Sequence, residues 1–189
     1  MSLSLDPAAV IRKLRPDESG LYRDFLLSLD PQTRRDRFCG GVSDAYLAQH
    51  PKRILNSGAV LYGCFQDGQL CGVAELHGAA PGEPAETAFV VSPAVRHHGI
   101  GAALLDLIVL AARNRNHPVI RVTCLPTNVA MHRLAQKADA RLVLSYDEAV
   151  GEIYGPRPNA LSWLREAFAD AFETVIYTMH WPPKTSQVT

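Results

Sequence analysis

The chain has 189 residues, 47% hydrophobic and 20% charged, enough to bury one well-formed core and short for two. Nineteen basic and nineteen acidic residues cancel to a formal net charge of zero, which argues against nucleic acid or an anionic membrane as a general partner. The expectation is a single domain over residues 1–189 whose charged sites are local.

Val10 to Leu14 reads as a first strand. Asp17-Glu18-Ser19 then opens a helix whose apolar face is Leu21, Tyr22, Phe25, Leu26 and Leu29, and a second helical region follows Asp30-Pro31. Ala59–Gln66 and Gln69–His77 are β-rich runs joined by Asp67-Gly68, a strong hairpin signal. After the Pro/Gly loop Ala79–Pro84, the strand Glu86–Val91 leads into a turn with Gly99 and Gly101. Beyond it Ile100, Ala103, Leu104, Leu107, Ile108 and Ala111 recur at helical spacing, with Arg113 and Arg115 closing the helix. Pro118–Cys124 is another strand, Thr127-Asn128 caps a helix to about Ala138, and Arg141–Tyr146 with Ala149–Tyr154 form a last strand pair. Gly155-Pro156-Arg157-Pro158 breaks the chain. Asn159 then caps a helix, to about residue 178, with an apolar stripe of Leu161, Leu164, Phe168, Ala171, Phe172 and Val175.

No basic start precedes a long apolar core, and no apolar run approaches eighteen residues, so a soluble cytoplasmic protein is expected. Cys39, Cys64, Cys71 and Cys124 stand singly, without C-x-x-C pairing or a zinc-like spacing to histidine. They read as reduced thiols, and no metal is expected.

The strongest chemical signal is the turn at Arg96-His97-His98-Gly99-Ile100-Gly101-Ala102. Glycines at a helix start let backbone N–H groups approach an anion closely, and those donors carry roughly half a positive charge. A P-loop would need Gly-Lys-Ser/Thr, and a dinucleotide fingerprint would need a third glycine where Leu104 stands. Strand, Arg96-x-x-Gly99-x-Gly101-Ala102, helix instead resembles the acyl-CoA binding motif of the GNAT superfamily of N-acetyltransferases. Asn128-x-x-Met131-x-x-Leu134 is similar to that family's Asn-x-x-Ala-x-x-Leu element. Leu27 to Phe38 and Ala85-Glu86-Thr87-Ala88-Phe89-Val90-Val91 resemble segments of the GNAT domain of Pat-type bacterial protein lysine acetyltransferases.

The resemblance covers about residues 11–154. It implies an α/β (α+β) GNAT fold, a mixed central sheet of about six or seven strands flanked by helices, with the C-terminal helix as an extra. It also implies acetyl-CoA as co-substrate, with the backbone of Phe89, Val90 and Val91 pairing with pantetheine. Arg96, His97, His98, Gly99, Ile100, Gly101 and Ala102 would surround the pyrophosphate, and Asn128 would meet pantetheine or simply cap its helix.

A lysine amine has a pKa of about 10.4, so presenting it neutral near pH 7 costs roughly 4 to 5 kcal/mol unless a base helps. Glu86 is the base the resemblance implies, and Glu75 is the runner-up; pattern alone makes either a solvated strand position. Many family members carry a tyrosine after the leucine that is here Leu134, to protonate the leaving thiolate; this chain has Ala135, leaving water or a tyrosine such as Tyr146. The expected function is acetyl transfer to a primary amine, a protein lysine or a small molecule, by direct attack. The alternative is an acyl-CoA-binding sensor without turnover. The C-terminal helix completes the core, joins a homodimer or covers the acceptor groove.

Overall fold

The computed structural model describes residues 9–79, 83–155 and 159–167. Its elements are β1 (Ala9–Lys13), α1 (Ser19–Ser28), α2 (Pro31–Phe38), α3 (Asp44–Leu55), β2 (Val60–Gln66), β3 (Gln69–His77), β4 (Ala85–Val91), α4 (Ile100–Asn114), β5 (Val119–Cys124), α5 (Val129–Lys137), β6 (Arg141–Leu144) and β7 (Ala149–Tyr154). A further helix, α6, covers residues 160–167.

The strands form one mixed sheet in the order β1-β2-β3-β4-β5-β7-β6, matching the expected mixed sheet of six or seven strands flanked by helices. Every neighbouring pair is antiparallel except β4 and β5. Period-two alternation sends Leu61, Val73 and Val90 into a core shared with Tyr22, Phe25 and Leu26 of α1 and Leu47 of α3. Tyr62, Ala74, Leu76 and Ile120 pack on the other face against Ile100, Leu104 and Ile108 of α4. The β2–β3 connection has positive φ at both Asp67 (51°) and Gly68 (76°), the conformation a two-residue hairpin with right-handed strand twist requires.

The helical region after Asp30-Pro31 resolves into two helices. Asp30 caps α2, its Oδ1 accepting from Thr33 N at 2.9 Å, with Pro31 preset at the first position. Cys39 ends it at φ 54°, and Ser43 caps α3 by accepting from Tyr46 N at 3.2 Å.

The start of α6 docks through polar groups. Ser162 and Glu166 are buried: Ser162 Oγ donates to Asn114 Oδ1 at 2.6 Å, and Glu166 accepts from Asn114 Nδ2 (2.6 Å) and Arg115 Nη1 (2.8 Å). Leu161 and Leu164 of the apolar stripe are 65% and 51% exposed, so this part of the stripe does not face the core. Phe168, Ala171, Phe172 and Val175 lie outside the described residues.

Candidate functional site

The strand pair β4–β5 is short. Ala85, Glu86 and Thr87 pair with Ile120, Arg121 and Val122, after which β4 continues to Val91 without a β5 partner. The two strands splay into a wedge, and Phe89 lies between the apolar cluster under α4 and the one formed by Val122, Cys124, Met131 and Ala149. Apart from Val91 O, the edge of β4 beyond Thr87 is a strip of backbone donors and acceptors that an extended ligand can pair with.

At the wide end the chain turns into α4. Gly99 sits at φ 81°, which only glycine adopts freely, and no side chain caps the helix. The first intrahelical bond runs from Ala103 N to Gly99 O at 3.0 Å, so the N–H groups of Ile100, Gly101 and Ala102 have no partner within the helix. A Cβ at Gly101 would meet only Leu134 Cδ2 at 3.7 Å, an ordinary contact. Internal packing therefore does not demand glycine there.

A cleft of about 740 Å³ follows this wedge. Of the residues expected around a cofactor, Phe89, Val90, Val91, Arg96, His97, Gly99, Ile100, Gly101, Ala102 and Asn128 line it; His98 is exposed and is not among the lining residues. Asn128 lines the cleft and also caps α5, its Oδ1 accepting from Met131 N at 3.0 Å. Arg96 is more constrained than a free phosphate ligand: Nε donates to Val91 O at 3.1 Å and Nη2 to Thr33 Oγ1 at 3.0 Å. Thr33 in turn donates to Asp30 Oδ2 at 2.6 Å, so the α2 cap and the glycine turn are one hydrogen-bonded unit.

Sequence reasoning missed the contributions of α2 and α5. Thr33, Asp36 and Arg37 form one wall, and Met131, Leu134 and Lys137 part of another. Charged residues in α2 read from pattern as a solvated face, and only the packing of α2 across the wedge makes them lining.

The two glutamates occupy opposite environments. Glu86 is an exposed residue of β4, register partner of His77 on one side and Arg121 on the other, and is not among the cleft-lining residues. Glu75 has no exposed side-chain surface. Its Oε1 accepts from Tyr22 OH and from His50 Nε2 at 3.0 Å, and its Oε2 lies 2.8 Å from His77 Nε2 and 2.7 Å from Arg37 Nη2. Burial alone would raise the Glu75 pKa, but Arg37 and the hydrogen bonds from His50 and His77 outweigh it and hold the carboxyl well below its ordinary range. Glu75 is thus a fixed anion and a weak base. Burial and the same carboxylate push the Tyr22 phenol well above its usual pKa, so it stays a donor. Tyr146, past the end of β6, is fully exposed.

Among the described residues no group of three or more His, Cys, Asp or Glu side chains could hold a metal, and no helix is long and apolar enough to cross a membrane.

The acetyltransferase (GNAT) family model matches residues 24–139. The GNAT domain of S. lividans PAT is similar in structure, with a TM-score of 0.66 and 22% identity, over 76% of this chain and 89% of that one. A ribosomal-protein-alanine N-acetyltransferase from Brucella melitensis superposes with a TM-score of 0.57 at 17% identity, covering 77% of this chain and 99% of that one. A phosphinothricin acetyltransferase from Sinorhizobium meliloti, solved in complex with acetyl-CoA, does so with a TM-score of 0.57 at 17% identity, over 81% and 94% of the two chains. A search of the curated proteins found no match. A family match over more than half the chain, on a sheet that splays between β4 and β5 ahead of an uncapped helix, makes this chain an acyltransferase of the acetyltransferase (GNAT) family.

Proposed function

We propose that this chain is a single-domain, cytoplasmic N-acetyltransferase that binds acetyl-CoA along the wedge and passes the acetyl group to a primary amine by direct attack. The observation that carries the reading is the continuity of the wedge: a strand edge over Ala88–Val91 that β5 does not pair, with only Val91 O taken by Arg96, runs toward the free N–H groups of Ile100 to Ala102. An extended amide-bearing arm suits the first, and a pyrophosphate suits the second. In this reading the amides of the turn, with Arg96 and His97, hold the pyrophosphate, and Phe89 to Val91 with Asn128 align the pantetheine. The cofactor supplies the activated acetyl group.

Glu86 is the proposed base. It precedes the splay by two residues on the sheet face that carries Glu75 and Ala88, and in this reading it takes the amine proton through a water. The acceptor is a primary amine of a protein lysine or a small molecule; similar structures act on a ribosomal protein in one case and on phosphinothricin in another. The resemblance of Leu27 to Phe38 and of Ala85 to Val91 to segments of Pat-type protein lysine acetyltransferases favours the protein lysine.

The direct test measures acetyl-CoA binding by calorimetry and CoA release against lysine peptides, proteins, polyamines and aminoglycosides, in wild type and Glu86→Gln. Amine-dependent release that falls roughly a hundredfold in the variant, with acetyl-CoA affinity unchanged, is the expected result. Release at the wild-type rate in Glu86→Gln would remove Glu86 as base, and tight binding without release for any amine would make the chain a sensor.

A further inference from the structure

Arg37 stands on the cleft wall with its side chain only 7% exposed and its Nη2 2.7 Å from Glu75 Oε2. Its Nε and Nη2 are both buried and neither makes a hydrogen bond among the described residues; Nη2 meets Glu75 as an ion pair, whereas Nε has no counterpart. A buried N–H without an acceptor is a standing cost that an acceptor atom from a bound molecule would remove. The guanidinium is also held in place. Its carbon lies 4.7 Å from the centroid of the Phe38 ring, and Phe38 packs edge-on against His50 with centroids 5.2 Å apart. The direction of the N–H is therefore set before any ligand arrives, as a charge-stabilising donor requires.

Strand register decides which part of a ligand Arg37 meets. Glu75 pairs with Ala88, and Ala88 is the first residue of β4 beyond its last pairing with β5. Arg37, tied to Glu75, lies at the narrow root of the wedge, whereas the free amides of α4 mark its wide end. In an acetyl-CoA laid from α4 toward the root, the group that reaches the root is the thioester.

We propose that Arg37 is a catalytic residue of this acyltransferase whose Nε–H takes the thioester carbonyl oxygen, with Glu75 as the positioning residue that holds the guanidinium there. This rests on acetyl-CoA lying in the cleft as described above. The amine lone pair forms the C–N bond while the carbonyl π pair moves onto oxygen, where Arg37 meets the developing negative charge. Collapse restores the C=O bond and breaks the C–S bond, releasing CoA as thiolate. The proton lost by nitrogen passes to the base, and the thiolate takes a proton from solvent, so amine plus acetyl-CoA gives amide plus CoA. Arg37 stays protonated throughout: burial lowers its pKa, but Glu75 and Tyr22 raise it by more.

The test uses the full chain loaded with acetyl-CoA carrying ¹³C at the carbonyl, and reads the thioester C=O stretch by difference infrared spectroscopy. Wild type is compared with Arg37→Lys and with the double variant Arg37→Gln/Glu75→Gln. Lysine keeps a positive charge beside Glu75 but lacks the Nε–H, and the double variant removes both charges so that neither is buried alone. The expected result is a band moved to lower frequency on binding to wild type and returned toward its solution position in both variants. Acetyl-CoA affinity should stay within threefold, while turnover with the most active amine of the panel falls roughly a hundredfold in Arg37→Lys. A bound band identical in wild type and Arg37→Lys, or turnover within threefold, overturns the role of Arg37 and leaves the cofactor reading intact. Failure of wild type to bind acetyl-CoA overturns the cofactor reading itself.

Discussion

At the scale of single residues, Glu75 shows how a carboxylate can be essential without being reactive. Three donors from α1, α3 and β3 hydrogen-bond to its two oxygens, and the charge of Arg37 on α2 neutralises it. Glu75→Gln keeps the shape but leaves the Arg37 guanidinium buried without its counter-charge, a change that costs about 3–5 kcal/mol. For a chain of this size that lowers Tm by roughly 10 °C. A thermal melt within about 2 °C of wild type would show that the pair contributes little. Glu86 carries the opposite expectation: it is exposed, so Glu86→Gln should leave Tm unchanged and alter only turnover. The two glutamates look alike in sequence because each follows an alanine in a β-rich run, and pattern contains nothing about which helices cover the strand.

At the scale of elements, the wedge depends on what is missing. β4 outruns its pairing with β5 by four residues, α4 begins without a capping side chain, and Gly101 has room for a Cβ on its protein side. Gly101→Val should therefore fold with Tm close to wild type while weakening acetyl-CoA binding at least tenfold, as measured by calorimetry, because the added methyls occupy the approach to the α4 amides. Unchanged affinity would mean that the phosphates lie elsewhere. The glycine turn, the hairpin at Asp67-Gly68 and the cap at Asn128 were legible in the sequence, since each is a local matter of φ or of one side chain meeting the next turn. The division of the second helical region was not, because Pro51 inside α3 and the mostly polar α2 blur the helical periodicity.

At the scale of the whole molecule, carboxylates set the response to acid. Glu75 is held well below its ordinary pKa; Glu18 and Glu166 are also lowered, burial opposing in each case and Arg12 at Glu18, or Asn114 and Arg115 at Glu166, outweighing it. A carboxylate with a depressed folded pKa stabilises the fold above its unfolded value, here about 4.5, and that contribution disappears as pH falls through the folded value. Tm should be level from pH 7 to about 5 and fall steeply below 4.5, with a shallower fall in Glu75→Gln. Melts that stay flat between pH 5 and pH 3 would contradict this.

The sequence by itself determined what depends on neighbours along the chain: the order of the strands, the hairpin, the Asn128 cap and the glycine turn that opens α4. Tertiary structure decided what depends on residues far apart in number. The environment of Glu75 is assembled from Tyr22, Arg37, His50 and His77, which approach only when three helices pack on one face of the sheet. The first turns of α6 dock by Ser162 and Glu166 rather than by Leu161 and Leu164, because Asn114 and Arg115 at the end of α4 present polar partners there. A hydrophobic stripe states which residues avoid water, but only the opposing surface determines which face of a helix is buried.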